Sequence, residues 1–294
     1  MLIFSAVLGL MISVLSPVLG LMYFLPQVSK QNDNDRSQSK FFFLIWLLGS
    51  LVLYITKTVD INTFVIINLN VALITYVFLQ MHENEFALET IMTTALAIAG
   101  SSGVIKYLFF KKSIEDNITL SVNSMSEMIQ SRYAVGSEEY QLINDTLNVS
   151  KELYLKYNYS FAVFTILVAL WIAIIIINRK LKFSYDLRLY SNMNYLVMPV
   201  IAGLGLIIYK PTSTLGINLI LPCLALYFIQ GLSIVWFYFG KMIANSKMLI
   251  VISIISLLIN PYLILMISFI GFVDNWADLR KLNKMEETHE NNTH

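Results

Sequence analysis

Five carboxamides stand in strongly apolar surroundings along this chain: Asn68, Asn70, Asn218, Gln230 and Asn260. An amide both donates and accepts, so in an apolar setting it must find partners. Two uses fit: hydrogen bonds that tie one helix to another, or the polar lining of a pocket for a small neutral or weakly polar ligand. Gln230 is the sharpest of the five, because Gly231 beside it lets a backbone or a ligand approach closely. Groups for acid–base or nucleophilic work are missing from the same surroundings. His82 lies in a short loop and His289 and His294 near the end, without metal-ligand spacing. The single cysteine, Cys223, allows no intramolecular disulfide. The pattern predicts no enzyme, no metal and no cofactor.

The elements that must position these residues are membrane helices. Hydrophobic residues make up 57% of the 294 and charged ones only 13%, against about 25% charged in a soluble domain. The apolar residues come in blocks, near 2–25, 41–56, 61–80, 88–110, 158–178, 194–209, 216–239 and 248–273. A block of about 20 residues spans a hydrocarbon layer roughly 30 Å thick. The expected fold is therefore all-α, a polytopic membrane helix bundle of about eight segments. Pro17 and Asn260-Pro261 should kink or break the first and last blocks. Met1–Phe24 lacks the basic start of a cleavable signal and reads as retained. Within the spans, ionisable residues are scarce; Glu89 and Lys106 fall near the ends of the fourth block, where a carboxylate meets water and a lysine can snorkel. The net charge of +1 gives no sign of nucleic acid as a partner.

Lysines and arginines collect in the loops 25–40, 179–193 and 240–247. The positive-inside rule puts all three in the cytoplasm and the acidic stretch 113–157 outside. The tail, with Arg280 and Lys281, belongs inside by the same rule, which favours an even number of crossings after residue 240. Within 113–157, Ile118, Val122, Met125 and Ile129 draw one helical stripe, and Tyr140, Ile143, Leu147 and Tyr154 a second, with a turn at Gly136. This predicts an extracytoplasmic helical hairpin between N-terminal membrane helices (1–112) and C-terminal ones (158–273), followed by a polar tail (274–294). Small residues recur at Ser5, Gly9 and Ser13, and again at Ala95, Ala99 and Gly103. Such ladders form close helix-packing or subunit-docking faces.

The stretch Tyr227-Phe228-Ile229-Gln230-Gly231-Leu232-Ser233, followed by Gly271-Phe272-Val273-Asp274 with Asp278 and Arg280-Lys281, resembles the YybS-like family of bacterial multi-pass membrane proteins. The likeness runs over about 216–284 and marks Gln230, Gly231, Asp274, Asp278 and Arg280 as family-like; Leu279 stands where the family pattern carries an aromatic. That family is distantly similar to the S-components of energy-coupling-factor vitamin transporters. The resemblance implies a protein of the bacterial inner membrane that binds a small molecule and docks on other membrane subunits, with the Ser5, Gly9, Ser13 face as the docking helix. The alternative is a structural or assembly factor for other membrane or envelope proteins, in which 113–157 carries the weight. Both readings make the lipid bilayer the first partner.

Overall fold

The computed structural model describes residues 2–34, 36–180, 185–244, 248, 252, 255–257 and 260–281, and among these it is all-helical, without strands. Four helical stretches are long and apolar enough to cross a membrane: Ile61–Glu83, Leu88–Phe109, Glu138–Arg179 and Lys210–Gly240. Shorter apolar helices lie at Ile3–Leu15, Ser39–Ile55, Asn194–Ile208 and Tyr262–Ala277.

The first apolar block is not one segment. It breaks at Ser16 into α1 (Leu2–Leu15) and α2 (Pro17–Asn34). Pro17 takes the first helical position, where its missing N–H costs nothing. The two helices then fold back on each other, with Ser5 Oγ 3.0 Å from Tyr23 Oη. Next come α3 (Arg36–Ile55), α4 (Ile61–Ile67), a π-helical turn (Asn68–Leu73) and α5 (Ile74–Glu83). Phe24, Phe42 and Trp46 close the core between α2 and α3, with Phe24 and Trp46 ring centroids 4.1 Å apart.

α6 (Leu88–Phe109) leads almost directly into α7 (Lys111–Arg132), and Gly136, at φ 98°, turns the chain into α8 (Glu138–Lys180). α8 has 43 residues, about 64 Å at 1.5 Å per residue, roughly twice a hydrocarbon layer. No break separates its polar first half from its apolar second half, so residue 157 falls inside a continuous helix. The first half packs on α7 and the second on α2, α6 and α10. Buried Ile166, Leu167, Leu170, Ala173, Ile174 and Ile177 make α8 the central post of the bundle. On the α7–α8 pair, Ile118, Val122, Ile129, Tyr140, Ile143 and Leu147 are half-buried, but Met125 and Tyr154 are exposed. Leu155 is half-buried beside the exposed Tyr154.

α9 (Val197–Ile208) and α10 (Ser213–Ala244) form an antiparallel pair. The last apolar block ends a helix at Asn260, which caps α11 (Pro261–Ala277) by accepting from Tyr262 N. α11 lies parallel to α10: Ser268 meets Leu224, Gly271 meets Tyr227 and Asp274 meets Gln230. Asn260 therefore lies at the opposite end of the bundle from Ala244, and the helix break at Asn260 divides the block 248–273.

One end of the bundle gathers the ends of α2, α5, α8, α10 and α11. Asn32 Nδ2 donates to Glu83 Oε1 (2.7 Å), His82 Nδ1 lies 2.6 Å from Tyr185 Oη, and Asn178 Nδ2 donates to Tyr185 O (2.8 Å). Lys30, Lys40, Arg188, Arg280 and Lys281 belong to this end. The turn before α4, the α7–α8 pair and the turn before α10 occupy the other.

Candidate functional site

The segment 185–193 is non-helical, yet Tyr190 and Asn192 are buried against the bundle. Irregular backbone at such depth must have its polar groups satisfied by protein. α10 and α11 supply the partners. Asn192 N donates to Gln230 Oε1 (3.1 Å), and Tyr190 Oη donates to Asn192 Oδ1 (2.6 Å). Arg280 Nη1 donates to the carbonyls of Arg188 and Tyr190, both at 2.8 Å. Arg280 Nη2 reaches Asp274 Oδ2 at 2.6 Å, with the two side chains 0% and 4% exposed. Gln230 Nε2 donates to the same oxygen at 2.9 Å and to Asn275 Oδ1 at 3.3 Å, while Asp274 Oδ1 accepts from Leu279 N. Three pieces of chain distant in sequence thus meet on one carboxylate and one guanidinium.

The guanidinium can turn back because α11 ends abruptly. Asp278 takes a left-handed conformation (φ 40°, ψ 54°) as C-cap and Lys281 another (φ 56°). Gly231 lets the two helices meet: a Cβ there would stand 2.0 Å from Ile267 O, and one at Gly271 would stand 2.0 Å from Tyr227 O. No real Cβ tolerates that, so helix backbones touch where the glycines lie. The arrangement holds charge and backbone in place. It offers no acid, base or nucleophile aimed into a free space, and among the described residues no cluster of metal-binding side chains occurs.

The other singled-out residues lie elsewhere. Asn218 joins α10 to α8 by accepting from Ser160 Oγ (2.5 Å) and donating to Lys156 O (2.9 Å). Asn68 donates to Phe64 O (2.8 Å) and pairs with Ser50 of α3 (3.3 Å). Asn70, in the π turn, is buried with Oδ1 unpartnered. Asn260 caps α11. The ladder Ser5, Gly9, Ser13 faces α2: Gly9 lies against Tyr23 and Phe24, Ser5 against Tyr23, and Ser13 against Gly20. Lys106 is largely buried along its length, with 9% of it exposed. The tail histidines His289 and His294 lie outside the described residues.

Tyr190 and Asn192 were not legible beforehand, since nothing in a polar loop marks it for burial. Lys106 was closer to legible. It lies three residues after Gly103, on the face drawn by Ala95 and Ala99. A small cavity of about 210 Å³ opens between α2, α3 and α5 at the basic end, lined by Asn32, Ser39, Lys40 and Glu83 among others.

No curated protein and no protein of solved structure matches the chain. A family model described as a predicted membrane protein family, DUF2232, matches residues 1–275, which takes in Gln230 and Asp274 and all but the last two residues of α11. On that match the chain belongs to the DUF2232 family of predicted membrane proteins.

Proposed function

We propose that this is a non-enzymatic, multi-pass protein of the bacterial cytoplasmic membrane that holds other membrane or envelope proteins through the α7–α8 pair. In this reading the described helices that pass through the bundle are α1, α2, α3, α4–α5, α6, α8, α9, α10 and α11. The positive-inside rule puts the basic end in the cytoplasm and α7–α8 outside as a hairpin.

One observation carries the partner-holding role. α7 has no buried residue, and the hairpin exposes Leu120, Met128, Leu142, Val149 and Leu153 away from its own stripe. A two-helix projection about 30 Å long with apolar side chains on its outer faces suits protein contact better than solvent. The small-molecule reading centred on Gln230 is second, because that amide already spends both ends on Asn192, Asp274 and Asn275. Its support is the polar cavity at the basic end.

The test is a pull-down from native membranes after in-membrane crosslinking, comparing the wild type with Leu142→Asp/Leu153→Asp. The account expects a defined partner lost in the variant at unchanged protein level. A partner set identical in both would sink the hairpin role.

A further inference from the structure

The cavity at the basic end brings groups of three kinds to one wall. Glu83, the last residue of α5, supplies a carboxylate, and Lys40, early in α3, an ammonium. Phe43 and Tyr76 supply an apolar side, their rings edge to face with centroids 5.6 Å apart. Asn32 and Ser39 tie the three helices together at this point. Ser39 Oγ donates to Asn32 Oδ1 (2.9 Å), and Asn32 Nδ2 donates to Glu83 Oε1 (2.7 Å). Ser39 is buried and Asn32 and Glu83 are half-buried, so this relay orients the carboxylate at the cavity wall. A carboxylate has about four acceptor sites, so Glu83 can take a ligand's N–H as well as that of Asn32. Lys40 is exposed, and an ammonium on a flexible stem can swing onto an anion that enters.

Size decides which ligands fit. A volume of about 210 Å³ is that of roughly seven waters and lies below the roughly 300 Å³ at which pockets for drug-sized ligands begin. A nucleotide is too large; a molecule of roughly five to nine non-hydrogen atoms is not. We propose that this cavity binds a small zwitterionic amino acid, its ammonium on Glu83, its carboxylate on Lys40 and its side chain against Phe43 and Tyr76. One charge of each sign on the wall matches a ligand that carries both, and the apolar side suits a short aliphatic side chain. With the basic end inside, the ligand enters from the cytoplasm. The proposal rests on the small-molecule reading and gives it a ligand class. It shares no residue with the α7–α8 pair, so its failure leaves the partner-holding role standing.

The experiment uses the full chain in nanodiscs. Glycine, alanine, serine, valine and leucine are added in turn, with propionate and propylamine as singly charged controls. Thermal unfolding and equilibrium dialysis of the radiolabelled compound are read. At least one of the five amino acids should bind and raise the unfolding temperature. Glu83→Gln, which keeps a carbonyl for Asn32, and Lys40→Met should each bind it about tenfold more weakly or worse, as expected for one lost charged hydrogen bond. Propionate and propylamine should each bind at least about tenfold more weakly than that amino acid for the same reason. No response to any of the five, or a response that both variants keep undiminished, overturns the proposal. Propionate or propylamine binding as well as the amino acid, and lost in the same variants, also overturns the zwitterion while leaving a small-molecule site in place.

Discussion

Arg280 is fully buried at the very end of the described chain, and its guanidinium has two jobs. It neutralises Asp274 and it satisfies two carbonyls of the 185–193 loop. Removing one partner of such a pair strands the other charge, at a cost of about 3–5 kcal/mol. Arg280→Met should therefore lower the thermal unfolding temperature in detergent sharply and loosen 185–193, seen as faster proteolysis near Leu189. Asp274→Asn combined with Arg280→Met should lose less than the sum of the single changes, because residues sharing one network couple by about 0.5–3 kcal/mol. Equal additivity would show that the two side chains act independently. Gln230, Asp274 and Arg280 were each visible in the sequence as residues to watch, but their meeting was not. Forty-four residues separate Gln230 from Asp274, and 90 separate Arg280 from the carbonyl of Tyr190. Only the parallel packing of α10 and α11 brings them together.

Among elements, the α10–α11 crossing depends on Gly231 and Gly271. Alanine at either position puts a methyl carbon 2.0 Å from a backbone oxygen that no rotamer can move. The helices must then part, and overpacking of this kind costs roughly 1–3 kcal/mol or more. Gly205, in α9, meets nothing within 4 Å, so Gly205→Ala should be neutral or stabilise by up to about 1 kcal/mol. Parallel unfolding curves for Gly231→Ala, Gly271→Ala and Gly205→Ala check this ordering. The apolar blocks located the helices well, because hydrocarbon thickness sets their length. They were less informative about breaks. At Pro17, where the proline allowed a kink or a break, the chain breaks and starts α2 in a tight turn. That outcome depends on Ser5, Gly9 and Ser13 fitting against α2, a tertiary fact that a hydropathy block does not contain. The α7–α8 stripes came instead from helical periodicity, and six of their eight residues are half-buried while Met125 and Tyr154 are exposed.

At the level of the whole molecule, the arrangement reduces to one statement: Lys30, Lys40, Arg188, Arg280 and Lys281 lie at one end and the α7–α8 pair at the other. The hydrogen bonds from Asn32 to Glu83, between His82 and Tyr185, and from Arg280 to Arg188 and Tyr190 tie the loops of that end together. The parallel course of α10 and α11 returns Lys281 to the same end, as the distribution of basic residues requires. Loop charge alone pointed to this grouping. The direct test starts from Cys223→Ser, which removes the single, buried thiol, and adds one cysteine at Val135, Leu189 or Lys281. Intact cells or spheroplasts are treated with a membrane-impermeant maleimide before and after permeabilisation. The account predicts labelling of Val135→Cys at once, and of Leu189→Cys and Lys281→Cys only after the membrane is opened. Labelling of Val135→Cys and Lys281→Cys from the same side would contradict it.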